Sequence, residues 1–257
     1  PERKIEKELG FFLKYGPERS SVPADVAITN LDLSFDFEGA PLVWLGKTGA
    51  EQSLGLIEGL YARDRAGRAR RDLVAAAGCH GRPALALPFL ERVLTGDGPD
   101  ALRKDAAFWV GEQNDAAALP LLAGTARNDR SKEVREGAVF GLSRIDLPAA
   151  VDEIIDLAKG ADKPDVRKQA VFWLSQIASE KSEPVLERIA QGDESLEIQE
   201  HALFALAELP DHQGVDALIK LARAHGDPRI RKKAVFWLGQ CDDPRALEAL
   251  IVIVKGK

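Results

Sequence analysis

Methionine is absent from the 257 residues, cysteine and tyrosine occur twice each, and no apolar run approaches the roughly 18 residues that a membrane-spanning helix needs. That absence excludes a helical membrane span, so no membrane insertion is expected. An excess of positive charge is missing too. With 35 Lys and Arg against 41 Asp and Glu, the formal charge is −6, and a nucleic-acid binder needs a basic face to displace counterions from phosphate. No nucleic-acid partner is therefore expected. The chain begins at Pro1 and has no methionine anywhere, which leads us to expect a processed or trimmed product of something longer. What is abundant is apolar and charged residues, 45% and 30% of the chain, enough for a sizeable folded core.

The apolar residues are periodic. Phe108, Phe140, Phe172, Phe204 and Phe236 recur at one constant interval, within AAFWVG, AVFGLS, AVFWLS, ALFALA and AVFWLG. Six residues before each comes Leu102, Val134, Val166, Ile198 or Ile230. A second row, Leu90, Leu122, Ile154, Leu186, Leu218 and Leu250, keeps the same period. Two apolar stripes per period, divided by turn signals such as Asn114-Asp115 and Asp242-Asp243-Pro244, describe a helical hairpin in tandem. Cys79 and Cys241 then lie about five repeats apart. At roughly 8–10 Å per helix layer this is about 40–50 Å, too far for a disulfide.

These strings resemble HEAT repeats of the short type found in phycobilisome-lyase-like proteins and many bacterial proteins. The openings Pro-Asp-Val-Arg (164–167) and Pro-Arg-Ile-Arg (228–231), the Ala-Val and Leu-Gly or Leu-Ser pairs, and Asp-Asp-Pro-Arg-Ala-Leu (242–247) carry the likeness. The resemblance implies an all-α fold, a right-handed α-α superhelix with a small N-terminal helix/strand cap. We place the array of about six helix pairs over 66–257 and the cap over 1–65. Within the cap we expect an amphipathic helix at 2–15, one or two strands through Val26, Ile28, Leu31, Leu33, Phe35 and Phe37, a degenerate repeat beginning at Pro41–Gly46, and a helix at 51–64.

On a helical wheel the Ile/Val, the small Ala and the Leu after Phe fall within one narrow arc, the core seam. The Phe falls well away from that arc, on the outer or inter-repeat side. Two readings stay open: each Phe packs between repeats under long charged stems, or the row is an apolar stripe that holds a partner. Trp109, Trp173 and Trp237 follow the Phe in alternate repeats, where Gly141 and Ala205 stand in the others. Bulky rings are thus expected over small residues, leaving Phe140 and Phe204 the most accessible. Lys104, Glu136, Lys168, Glu200 and Lys232 alternate in sign, which suggests a ladder of exposed ion pairs. Arg71, Arg103, Arg135, Arg167 and Arg231 recur in register, with Gln199 the exception. The resemblance implies that these arginines bond turn oxygens or carboxylates of neighbouring repeats, with Asp115, Asp146, Asp211 and Asp242 as candidates.

Catalytic patterns are scarce. His80, His201, His212 and His225 are scattered, and the repeated His-Glu dipeptides by which the similar deoxyhypusine hydroxylase binds iron do not occur, so no metal is expected. No Walker loop or GxSxG stands in the chain. The expectation is a non-enzymatic, cofactor-free, monomeric scaffold that binds a protein or peptide through Phe108, Phe140, Phe172, Phe204, Phe236, Trp109, Trp173 and Trp237. The alternative is a lyase or other modifying enzyme resembling bilin lyases. The compartment stays open: two unpaired cysteines suit a reducing one, while similar bacterial arrays look exported.

Overall fold

The computed structural model describes residues 9–16, 21–32, 34, 36, 39, 41–177, 181–193 and 195–255. The chain divides into two compact units, Pro1–Gln113 and Asn114–Lys257.

The first unit opens with an antiparallel pair of strands, β1 (Leu9–Lys14) and β2 (Asp25–Asn30), in a register running from Leu9 opposite Asn30 to Lys14 opposite Asp25. This corrects the helix expected over 2–15 at residues 9–14; residues 1–8 lie outside the described residues. Phe11 and Phe12 favour a pleated surface, Gly10 weakens a helix, and β2 offers the segment a partner. Leu33, Phe35 and Phe37 also lie outside the described residues. Pro41–Gly46 forms no helix, contrary to the degenerate repeat expected there, and Leu42, Val43, Trp44 and Leu45 are exposed. So short a run, with its apolar side chains exposed, cannot offset the cost of helix nucleation.

Helices α1 (Ala50–Arg63), α2 (Arg70–Gly78), α3 (Pro83–Thr95) and α4 (Asp100–Glu112) complete the unit. α1 packs on α2 and α3 on α4, with α1 beside α3 and α2 beside α4. The helix expected at 51–64 is α1, the first helix of a hairpin whose second helix, α2, lies beyond the expected cap boundary at 65. The turn between α1 and α2 is closed by buried Asp64, whose carboxylate accepts the Ala69 amide at 2.8 Å. β2 lies against α2 and buries Val26. The Phe11 ring of β1 stacks on His80 at 5.4 Å, and His80 Nε2 meets the Ser53 hydroxyl of α1 at 3.2 Å. One histidine thus joins the strands, α1 and the end of α2, which gives the hairpin its role as a cap.

The second unit is four hairpins and a final helix: α5 (Ala118–Asn128) with α6 (Lys132–Ser143), α7 (Pro148–Gly160) with α8 (Pro164–Gln176), α9 (Ser182–Gly192) with α10 (Leu196–Ala207), α11 (Val215–Ala224) with α12 (Pro228–Leu238), then α13 (Pro244–Val254). The second helices of successive hairpins lie side by side, as do the first helices. This is an α-solenoid packing, and among the described residues no strand follows β2. The seam expected from the sequence is the core: Val134, Ala138 and Leu142, and their counterparts through Ile230, Ala234 and Leu238, are buried. Proline opens α7, α8, α12 and α13 at positions whose amide would have no helical acceptor. Asp227 and Asp243 cap α12 and α13 by accepting the amides of Arg229 and Arg245, each at 2.8 Å.

Two sets of changes probe this packing. A Cβ added at Gly78 would sit 2.3 Å from the Trp109 ring, whereas at Gly124, inside α5, it would meet nothing within 4 Å. In urea denaturation Gly78→Ala should cost about 1–3 kcal/mol through overpacking, and Gly124→Ala should add about 0.5–1 kcal/mol by favouring the helix. Burial holds the His80 pKa below 6.5, so the unfolded chain takes up a proton there before the folded one does. His80 therefore contributes stability that is complete above the unfolded value and falls as pH drops from 6.5 towards the folded value. The urea midpoint of the wild type should decline across that window, and His80→Gln should flatten the decline.

Candidate functional site

The second helices carry the Phe positions away from the seam and the half-buried Trp positions beside it. In the second unit the rings form pairs of contacts that run from one repeat to the next. Trp173 of α8 stacks on Phe140 of α6 with centroids 5.0 Å apart, and meets its own neighbour Phe172 edge-on at 5.1 Å. Trp237 of α12 meets Phe204 of α10 at 5.2 Å, tilted by 54°, and its neighbour Phe236 edge-on at 5.1 Å. Each Trp therefore covers the Phe of the preceding repeat. Phe172 has Ala205 where the covering Trp would stand, and it is 37% exposed; Phe236 is 53% exposed.

This reverses the expected accessibility. Phe140 and Phe204 are half-buried because their shield arrives from the following repeat and not from the residue beside them. The expected rings over small residues are found at Trp109, which lies against Gly78 in the first unit and meets Phe108 edge-on at 5.0 Å. In the second unit the contact is ring on ring. Trp173 and Trp237 also bury indole N–H groups that have no hydrogen-bond partner. Their retention is a matter of ring area, not of polar bonding.

The charge row does not form the expected ladder. Glu136 pairs with Lys132 of its own helix at 3.6 Å, Lys168 with Glu197 of α10, and Glu200 with Lys233 of α12 at 3.8 Å. Side chains at equal register point the same way from neighbouring parallel helices, so where the pair crosses to the next helix the partner is a residue offset along it. All these groups are partly or well exposed, and solvent screening leaves such pairs little net worth.

The arginine row bonds turn oxygens as expected, but chiefly those of its own hairpin, with Asp165 and Asp105 as the carboxylates across hairpins and none of the four aspartates expected. Arg135 donates to the Asp129 carbonyl at 2.9 Å, Arg167 to Ala161 at 2.7 Å and Arg231 to His225 at 2.6 Å, always six residues back. Gln199, the exception in the row, makes the same bond to Asp193 at 2.6 Å. Arg135 also places Nε and Nη2 at 3.0 and 2.6 Å from Asp165 of the next hairpin. In the first unit Arg103 donates to the Leu94 carbonyl at 3.0 Å, and Arg71 pairs with Asp105 at 2.6 Å. The candidates Asp115, Asp146, Asp211 and Asp242 lie at the far ends of the second helices. Between Arg135 and Asp146 the helical rise of about 1.5 Å per residue amounts to about 16 Å.

Other polar groups are similarly committed. Ser143 and Ser175 donate to the Phe140 and Phe172 carbonyls at 2.7 Å. Cys79 and Cys241 are free thiols whose pKa values are raised, chiefly by burial. Asp227 is held down at about 2, first by its bond from the Arg229 guanidinium. An open depression of about 380 Å³ lies at the turn between α6 and α7, walled by Leu142, Ile145, Leu147, Ile154 and Ile177. Among the described residues no group of three or more His, Cys, Asp or Glu is placed to hold a metal.

The stacked hairpins, the repeated arginine bond and the recurring ring row identify the repeat. The profile of HEAT repeats matches residues 86–174, 123–207, 151–224 and 183–256. The chain belongs to the HEAT-repeat family. No curated protein matches it. Among solved structures it is similar to human deoxyhypusine hydroxylase at 20% identity, covering 77% of each chain with a TM-score of 0.35. It is similar to the CpcE–CpcF complex of phycocyanin lyase from a Nostoc species at 24% identity, covering 60% of this chain and 98% of that one, TM-score 0.43. The condensin Cnd3–Cnd2 subcomplex of S. pombe matches at 18% identity over 80% of this chain and 31% of its own, TM-score 0.45. At such identities the likeness is one of repeat architecture.

The cover supplied by Trp separates the Phe positions energetically. Phe140→Ser should lower stability by roughly 1–3 kcal/mol, short of the roughly 3–5 kcal/mol for a fully buried Phe, while Phe236→Ser should stay within about 0.5 kcal/mol of wild type. Urea midpoints of the two variants check both values.

Proposed function

We propose that this HEAT-repeat protein is a non-catalytic scaffold that holds a protein or peptide on the solvent face of its Phe-bearing helices. The observation that carries the reading is the exposure of Phe172 and Phe236 at the ends of the two ring sets, in an array whose seam positions are buried. Each lies one turn after a lysine, Lys168 or Lys232, so an apolar anchor and a cation recur together two repeats apart. Such a face suits a segment that presents apolar side chains with a carboxylate beside Lys232, since Lys168 already pairs with Glu197. The Trp behind each Phe rigidifies the ring, so little freedom is lost on contact.

Panning a random peptide library against the wild-type chain tests this reading. Captured peptides should carry apolar anchors, and the double change Phe172→Ser with Phe236→Ser should weaken their binding at least about tenfold, the equivalent of about 1.4 kcal/mol. Thermal unfolding should remain close to wild type. Equal binding by the double variant would reject this face as the partner site.

A further inference from the structure

We propose that the uncovered ring of Phe172, between α8 and α10, is the seat of a tryptophan side chain of an extended peptide, and that an arginine next to that tryptophan pairs with Glu208. The inference rests on the partner-binding reading and deepens it. The second unit shows twice what fills such a place. Trp173 of α8 lies on Phe140 of α6 with centroids 5.0 Å apart, and Trp237 of α12 on Phe204 of α10 at 5.2 Å. Both covered rings are half-buried. Phe172 stands between these two contacts and is 37% exposed. The residue of α10 in the register of the two tryptophans is Ala205, whose side chain ends at Cβ and cannot reach over a ring on the neighbouring helix. Ala205 is itself buried, so what lies open is the Phe172 ring and not a hole in the core. Among the described residues, the one ring against Phe172 is its own neighbour Trp173, edge-on at 5.1 Å.

Helical phase sets the surroundings of that ring. Along α10, His201 stands one turn before Ala205 and Glu208 three residues after it, and both are exposed. On α8, Gln176 follows Phe172 by one turn and is exposed too. A ring laid on Phe172 therefore has polar side chains at its rim and apolar surface beneath it. Indole is the side chain that the array itself places on this Phe register, and it offers a large flat apolar face. Trp173 braces Phe172 from behind, so stacking orders little besides the incoming side chain.

Charge selects what accompanies the tryptophan. Of the carboxylates on the outer side of α10, Glu197 holds Lys168, and Glu200 holds Lys233 at 3.8 Å. Among the described residues Glu208 has no ion pair. An exposed carboxylate without a cation, next to an open ring, complements a cation on the occupant. An acidic neighbour would fare worse, because Lys168, one turn before Phe172, is already taken. Arginine fits better than lysine, since its planar guanidinium can pair with the carboxylate and lie flat against an aromatic face.

Capped Gly-Trp-Arg-Gly, Gly-Leu-Arg-Gly and Gly-Trp-Glu-Gly peptides, titrated into the isotope-labelled full chain and followed by NMR, test the proposal. The Trp-Arg peptide should shift the amide resonances of Phe172, Ala205 and Glu208 and bind at least about threefold tighter than either of the others. Phe172→Leu, which keeps an apolar side chain and removes the ring, should erase the preference for Trp over Leu. Glu208→Gln should erase the preference for Arg over Glu. Both variants should melt near the wild-type temperature, because both residues are exposed. Equal binding of the Trp and Leu peptides, binding by none of the three, or shifts confined to other helices would overturn the proposal. An Arg preference that survives Glu208→Gln would overturn the part assigned to that carboxylate. Peptides panned from the random library separate this inference from the reading on which it rests. If they lose binding to the Phe172/Phe236 double variant yet carry leucine as readily as tryptophan, the partner face stands and the tryptophan seat falls; if they ignore the double change, both fall.

Discussion

A single helical hairpin has an apolar face that it cannot cover by itself, and most of what this protein does structurally follows from that constraint. The seam residues of each second helix are buried only because another helix of the stack lies over them. The same dependence reappears on the outer side, where Trp173 reaches back to Phe140 and Trp237 to Phe204. Cover travels in one direction along the second unit, from each repeat to the one before it. An array of this kind has no natural stopping point. In the first unit a β-hairpin meets α2, buries Val26 there and stacks Phe11 on His80, while α13 leaves a stripe of Leu247, Ile251 and Val254 uncovered.

The arginine row shows how a charged group can serve packing alone. Each guanidinium in the second unit reaches the carbonyl at the end of the preceding helix, where the last carbonyls lack helical partners. Gln199 serves as well at its position because the acceptor is a carbonyl, for which a neutral amide suffices. At Arg135 the remaining face of the guanidinium also takes a carboxylate of the next hairpin at close range, Asp165, and both are largely buried. That pair is bidentate in donors but uses one acceptor oxygen, Oδ2. Breaking it would strand a charge away from water, so its importance lies in the loss on removal more than in net stabilisation.

The functional reading rests on the rings. A HEAT array offers a partner a surface and not a pocket, and one fold can host binding proteins and enzymes alike. What sets the face of the second unit apart is that Phe140 and Phe204 are covered by the Trp of the next repeat while Phe172, opposite Ala205, is not. In the proposed reading the uncovered rings are the anchors, and their wide spacing suits an extended partner.

The sequence alone determined the repeat, its period, the hairpin within it and the buried seam, because apolar periodicity and turn residues are local signals that survive without knowledge of neighbours. It also determined that the arginine row serves packing, through oxygens at the turns. The acceptors of those arginines, the shielding of each Phe and the partners of each charge were decided by tertiary structure. All three depend on which side chain a neighbouring helix presents across the gap, and helical phase within one repeat holds no information about that offset. Residues 9–14 make the same point at the level of secondary structure: their spacing suits a helix, and pairing with 25–30, a contact between separate segments, makes them a strand.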